Sequence, residues 1–255
     1  MINIPLPIEP VIGFEKVSVE FQVRHERPSD FKELVLKRLT GRARKTEPFR
    51  ALDQLDLEVM RGECFGLIGP NGAGKSTALK LVSKILRPIG GRVWVKGRVA
   101  PLLELGAGFH PELTGRENLI LNGTILGFTR QEMLEKMDRI VEFASLEEFI
   151  DAPLRTYSSG MSARLGFAVA TDAQPDILVV DEVLSVGDEA FLRRSEERMR
   201  RFLEGQTTII IVSHAMETIR SLCDRVAWID KGRARAVGPP DEVIDAYLEA
   251  TSSES

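Results

Sequence analysis

The stretch Gly69-Pro70-Asn71-Gly72-Ala73-Gly74-Lys75-Ser76-Thr77 constrains this chain more than any other part of it. It follows an apolar run, Glu63 to Ile68, and precedes a helical pattern from Lys75 to Ile85. Strand, glycine-rich turn and helix in that order are the context that G-x-x-x-x-G-K-[ST] requires. In such a turn the glycines let backbone N–H groups converge on phosphate oxygens, and the helix N-terminus adds its positive dipole end. Lys75 is then expected to reach the terminal phosphates of a nucleotide, and Ser76 to ligate Mg²⁺.

A second run, Ile177-Leu178-Val179-Val180, ends in Asp181-Glu182. An apolar strand that stops in two carboxylates complements the first motif. Asp181 is expected in the Mg²⁺ shell, and Glu182 is expected to polarise an attacking water in line with the γ-phosphate. Thr208 to Val212 repeats the pattern of an apolar run followed by polar residues and a helical segment. That alternation predicts a mostly parallel sheet.

The rest of the chain is read around this core. Residues 14 to 23 alternate, with Val17, Val19, Phe21 and Val23 on one side, and Leu52 to Val59 reads as a second strand. Between them, Arg24 to Arg50 holds nine Lys or Arg against four Asp or Glu, in a 255-residue chain whose net charge is −4. Asp30 as a cap, Phe31, Leu34, Val35 and Leu39 on one face, and Gly41 as a stop predict a basic amphipathic helix there. From about Pro111 to Ala173 the pairs Thr114/Glu117, Thr129/Glu132 and Ser145/Glu148 have capping-box spacing and predict three helix starts. The expected organisation is a single domain over 1–250, with a core of 14–110 and 174–240, a basic insertion at 24–50, a helical subdomain at 111–173 and a disordered tail at 251–255.

Composition excludes several classes. The acidic net charge provides no general attraction for nucleic acid. Cys64 and Cys223 lack metal-ligand spacing and make no disulfide framework. No apolar stretch approaches the roughly 20 residues that span a bilayer, and the N-terminus has no secretory pattern. A protein that stays inside the cell is expected.

Tyr157-Ser158-Ser159-Gly160-Met161, followed by Arg164, resembles the signature loop of ABC-type ATPases, with Tyr157, Ser159 and Met161 replacing the usual Leu, Gly and Gln. Asp188 in LSVGD resembles the D-loop and Ser213-His214 the switch histidine, in the family's order. The resemblance implies a P-loop α/β core with a mostly parallel sheet, an antiparallel edge sheet and an inserted helical subdomain. It implies ATP and Mg²⁺, with Ser158, Ser159, Gly160, Met161 and Asp188 acting on ATP held by a second copy, and His214 contacting the γ-phosphate. The family's metal-side glutamine has no counterpart between Val99 and His110, where Glu104 is the nearest polar candidate. For the aromatic that stacks on adenine, Phe21 and His25 are the candidates, although alternation puts Phe21 on the strand's core face.

LLELGAGFHPELTGRENL (Leu102 to Leu119), TYSSGMSARLGFAVA (Thr156 to Ala170) and DEVLSVGDEAF (Asp181 to Phe191) are similar to the ATPase subunits of bacterial polysaccharide exporters of the O-antigen and teichoic-acid type. This branch implies a homodimer on the cytoplasmic face of the inner membrane. It also implies two copies of a polytopic permease and a lipid-linked glycan substrate. The basic insertion resembles one of that branch, expected to meet anionic headgroups or the membrane subunit. No appended carbohydrate-binding β-domain is expected after the helical segment Asp241 to Ala250. The alternatives are another ABC exporter or importer subunit, or a soluble ABC ATPase acting on ribosomes or DNA.

Overall fold

The apolar runs of the sequence form strands buried on both faces, as a parallel sheet covered on each side demands. The computed structural model describes residues 9–22, 48–102, 108–172, 175–181, 188–213 and 215–252. Strands β3 (Cys64–Ile68), β5 (Val99–Leu102), β6 (Ile177–Val180), β7 (Thr208–Val212), β8 (Arg225–Asp230) and β9 (Arg233–Gly238) make one sheet in the order β5-β6-β7-β3-β8-β9. Only the β8–β9 pairing is antiparallel. β1 (Pro10–Gln22), β2 (Pro48–Met60) and β4 (Gly90–Val95) form a separate antiparallel sheet, ordered β2-β1-β4.

Strand period divides the core. Phe65, Leu67, Ile177, Val179, Ile210 and Val212 face the antiparallel sheet and α1 (Lys75–Val82). Cys64, Ile68, Leu178, Val180, Ile209 and Ile211 face the opposite way. That second side is covered by α4 (Ser159–Asp172), α5 (Glu189–Glu204), α6 (Met216–Leu222) and α7 (Pro240–Ser252). Cys64 and Cys223 meet there as buried free thiols, with sulfurs 3.7 Å apart. A third cluster joins α2 (Gly115–Ile125), α3 (Arg130–Ala144) and the inner face of α4.

Two expected helix starts occur as read. Thr114 and Thr129 each accept a hydrogen bond from the N3 amide, and Glu117 and Glu132 each accept one from the cap's own amide. Ser145 is different: it closes α3 as a C-cap with φ +52°, because Phe143 and Ala144 still belong to the buried face and the chain must reverse there. Pro48 to Arg50, expected at the end of the basic insertion, pair as β2 with Glu20, Phe21 and Gln22. Helix α7 runs through Thr251 and Ser252, two residues into the expected tail. The expected basic helix, Asp30 to Thr40, lies outside the described residues.

A buried asparagine organises the entry to α2. Asn118 is fully buried, its Oδ1 accepts from the His110 amide at 2.6 Å, and its Nδ2 is 2.9 to 3.1 Å from the carbonyls of His110, Leu113 and Thr114. Asn118→Leu preserves the shape, leaves the His110 amide without its partner, and leaves the carbonyls of His110, Leu113 and Thr114 with only their backbone donors, Leu113, Leu154 and residue 118. It should destabilise the fold by about 1 to 3 kcal/mol in chemical denaturation, the cost of one orphaned buried group.

Candidate nucleotide site

Strand β3 delivers the glycine-rich loop to one end of the parallel sheet, where the loop is held from outside. Gly74 has φ +108°, and a side chain there would meet the Ala51 carbonyl oxygen at 2.5 Å. Gly69 has φ +140°, and its missing Cβ would overlap the Ile229 carbonyl. Both positions need glycine for conformation and for space. Lys75 is buried, and its Nζ donates to the carbonyls of Gly69 at 2.7 Å and Pro70 at 2.9 Å, which folds the cation back over the loop.

The loop forms one wall of an open recess of about 410 Å³. Asn71, Gly72, Gly74, Lys75, Ser76 and Thr77 line it together with Asp181, which follows β6. Ser76 is exposed and Asp181 half-buried, so a hydroxyl and a carboxylate lie beside the loop amides. Two hard oxygen donors next to a phosphate cradle fit Mg²⁺, which takes few protein ligands and completes its shell with water and phosphate.

The opposite wall is aromatic. Phe21 and Phe49 are cross-strand partners on β1 and β2, and both line the recess. Phe21 is 39% exposed and Phe49 49% exposed. Alternation had put Phe21 in the core. The core ends at Val19, beyond which β1 and β2 project as a two-stranded ribbon and turn Phe21 toward the recess. Phe49 was missed because it sits in the basic segment; the signal that finds it is its register opposite Phe21.

The other candidate residues are not brought into this recess. Ser158 and Ser159 are exposed, and Ser158 Oγ accepts from the Met161 amide at 3.2 Å, capping the turn in which Gly160 and Met161 begin α4. Asp188 caps α5 by accepting from the Phe191 amide at 2.8 Å, and its second oxygen pairs with Arg164 at 3.3 Å. None of these residues lines the recess. Glu182, His214, His25 and Glu104 lie outside the described residues.

Residues 52–185 match the family model described as "ABC transporter". The chain is 46% identical over 244 residues to the O-antigen export system ATP-binding protein RfbB of Klebsiella pneumoniae, covering 95% of this chain and 99% of that one. It is 45% identical over 212 residues to the teichoic acids export ATP-binding protein TagH of Lactococcus lactis, covering 83% of this chain and 45% of the relative. The fold is similar to that of the ATP-binding cassette MJ0796 in a dimeric post-hydrolysis state bound to ADP and Pi. That match has a TM-score of 0.68 and 18% identity, and it covers 90% of this chain and 98% of the other.

The aromatic wall carries a testable consequence. Phe21→Ala should weaken ATP binding by roughly 5- to 100-fold, in line with about 1 to 3 kcal/mol for a base stacked on an aromatic ring. Binding of inorganic triphosphate, which has no base, should be unchanged. Equilibrium titration with both ligands separates loss of the platform from damage to the loop.

Proposed function

Because the chain belongs to the ABC transporter family, and is therefore an ATPase, we propose that it powers export of a lipid-linked polysaccharide through a separate membrane subunit. The observation that carries this reading is the 46% identity to an O-antigen export ATP-binding protein across nearly the whole of both chains. Among the described residues no helix is long and apolar enough to cross a membrane. The path for the glycan then comes from a polytopic permease, two copies of which engage two copies of this chain at the cytoplasmic face.

The loop amides from Gly69 to Thr77 hold the β- and γ-phosphates, with Lys75 swinging from its carbonyl partners onto them. Phe21 and Phe49 take the adenine. Ser76 and Asp181 would hold Mg²⁺, which would neutralise phosphate charge there. Glu182 orients and deprotonates the attacking water, and His214 keeps Glu182 and the γ-phosphate in register. Ser158 and Ser159 are exposed and Gly160 and Met161 half-buried at a helix start outside their own chain's recess, which suits this turn to close over ATP held by a second copy in a head-to-tail dimer. Asp188 stands beside that interface through its pairing with Arg164.

Deleting the chain from its host should abolish surface polysaccharide while the lipid-linked precursor accumulates inside. The wild-type sequence should restore export and Lys75→Ala should not. Normal surface polysaccharide in the deletion strain would remove the exporter reading and leave the ATPase intact.

Two substitutions separate binding from hydrolysis. Glu182→Gln should retain ATP affinity, slow turnover by about two to four orders of magnitude, the typical worth of a positioned base, and accumulate an ATP-bound dimer in size-exclusion chromatography. Lys75→Ala should lose affinity itself. A heterodimer of Lys75→Ala with Ser158→Arg should keep one composite ATP site, whereas neither homodimer should keep any.

A further inference from the structure

At the opposite end of the parallel strands, α3, α4 and α5 enclose a second recess of about 510 Å³, lined by Arg139, Thr171, Asp172, Arg198, Arg201 and Thr207 among others. Thr207 immediately precedes β7, whereas the nucleotide loop follows the far end of the parallel strand β3. The two recesses have no lining residue in common.

The charge in this recess is unbalanced. Asp172 is buried and already receives Arg139 through two hydrogen bonds, at 2.8 and 2.9 Å, with Lys136 at 3.4 Å. Arg201 pairs with Glu197 at 2.6 Å on the exposed side of α5. Arg198 is left over: its guanidinium lies 3.5 Å from the centre of the Phe143 ring, and its Nη1 donates to Thr171 Oγ1 at 3.2 Å. Among the described residues it has no ion-pair partner. Burial pulls the Arg198 guanidinium below its ordinary pKa; Asp172 opposes this, and the like charges of Arg201 and Arg139 add to it.

A half-buried cation beside two others, with most of its N–H donors unassigned, is satisfied by an anion. Among the residues that line the recess, Arg139, Arg198 and Arg201 stand against Asp172, and the flanking Lys136 and Glu197 offset each other, which leaves two positive charges to neutralise. That surplus favours a doubly charged group over a single carboxylate. Guanidinium forks from two helices match the several oxygens of a phosphate.

We propose that this recess binds a phosphate monoester dianion, at a site separate from the ATP site. The phosphate arrives either on a soluble molecule or on a lipid headgroup. Held there, it bridges α3 and α4 of the helical layer to α5.

The test uses the full chain saturated with Mg²⁺ and a non-hydrolysable ATP analogue, so that the nucleotide loop is filled up to its terminal-phosphate position. Inorganic phosphate is titrated at pH 8 by calorimetry, and vesicles of phosphatidylcholine with or without phosphatidic acid are tested by co-sedimentation. One phosphate per chain should bind, and Arg198→Gln and Arg201→Gln should each weaken it at least about tenfold, the lower end for a charge-assisted hydrogen bond. Arg201 is exposed, so its substitution reads the site even if Arg198→Gln folds poorly. Affinity for the ATP analogue should not change in either variant. Binding of free phosphate alone assigns a soluble source, and arginine-dependent sedimentation with phosphatidic acid that free phosphate competes away assigns a lipid. Binding of neither probe, or binding that both substitutions leave unchanged, overturns the proposal.

Discussion

The contact of three backbone segments around Gly74 sets the geometry on which the nucleotide site depends. The Ala51 carbonyl of β2 presses against Gly74 with no room for a side chain. The Gly232 amide, in the β8–β9 turn, donates to the Ala73 carbonyl at 3.0 Å, and the Asp53 amide of β2 donates to the Gly232 carbonyl at 3.0 Å. Arg233 then clamps Asp53 from the same turn. The glycine loop is thus gripped by both sheets, through main-chain groups that no side-chain substitution removes. Since Phe49 lies two residues before Ala51 on β2, and Phe21 opposite Phe49, the same grip fixes the spacing between phosphate cradle and aromatic wall. The antiparallel sheet serves as the second half of the site.

This explains which parts of the fold were legible in the sequence. Local rules worked where the determinant is local. The glycine motif needs only its own strand and helix, and the Thr114 and Thr129 boxes need only residues three apart. The continuous apolar runs at β6 and β7 needed only that both faces of each strand be covered, as the two apolar clusters cover them. The failures share a non-local cause. Ser145 has a capping-box spacing, but its conformation is set by how α3 packs, and that places it at a helix end. Phe21 satisfies the alternation of β1, yet whether its face is core or recess depends on where the underlying sheet stops. Phe49 becomes visible only through a register across a connection of more than twenty residues.

Helices α4 and α5 connect the two ends of the molecule. Each begins on the nucleotide side of the sheet, α4 at the Ser158 turn and α5 at Asp188, where Arg164 and Asp188 tie them together. Their later turns meet again at the arginine recess, where Arg198 donates to Thr171. Between these ties Phe143, Phe167 and Phe191 stack edge and face at centroid separations of 5.6 to 6.1 Å, with Arg194 and Arg198 over their rings. Close-packed aromatic contacts resist gradual sliding and favour discrete arrangements. Any displacement of α4 against α5 has to break or keep the polar tie at each end of this aromatic block. The Arg164–Asp188 pair is substantially exposed on its Asp188 side and yields cheaply, whereas the Arg198–Thr171 bond is half-buried and is lost only by exposing a desolvated cation. Of the two polar ties the one on the nucleotide side is therefore the weaker, and the one at the arginine recess holds α4 to α5 more firmly.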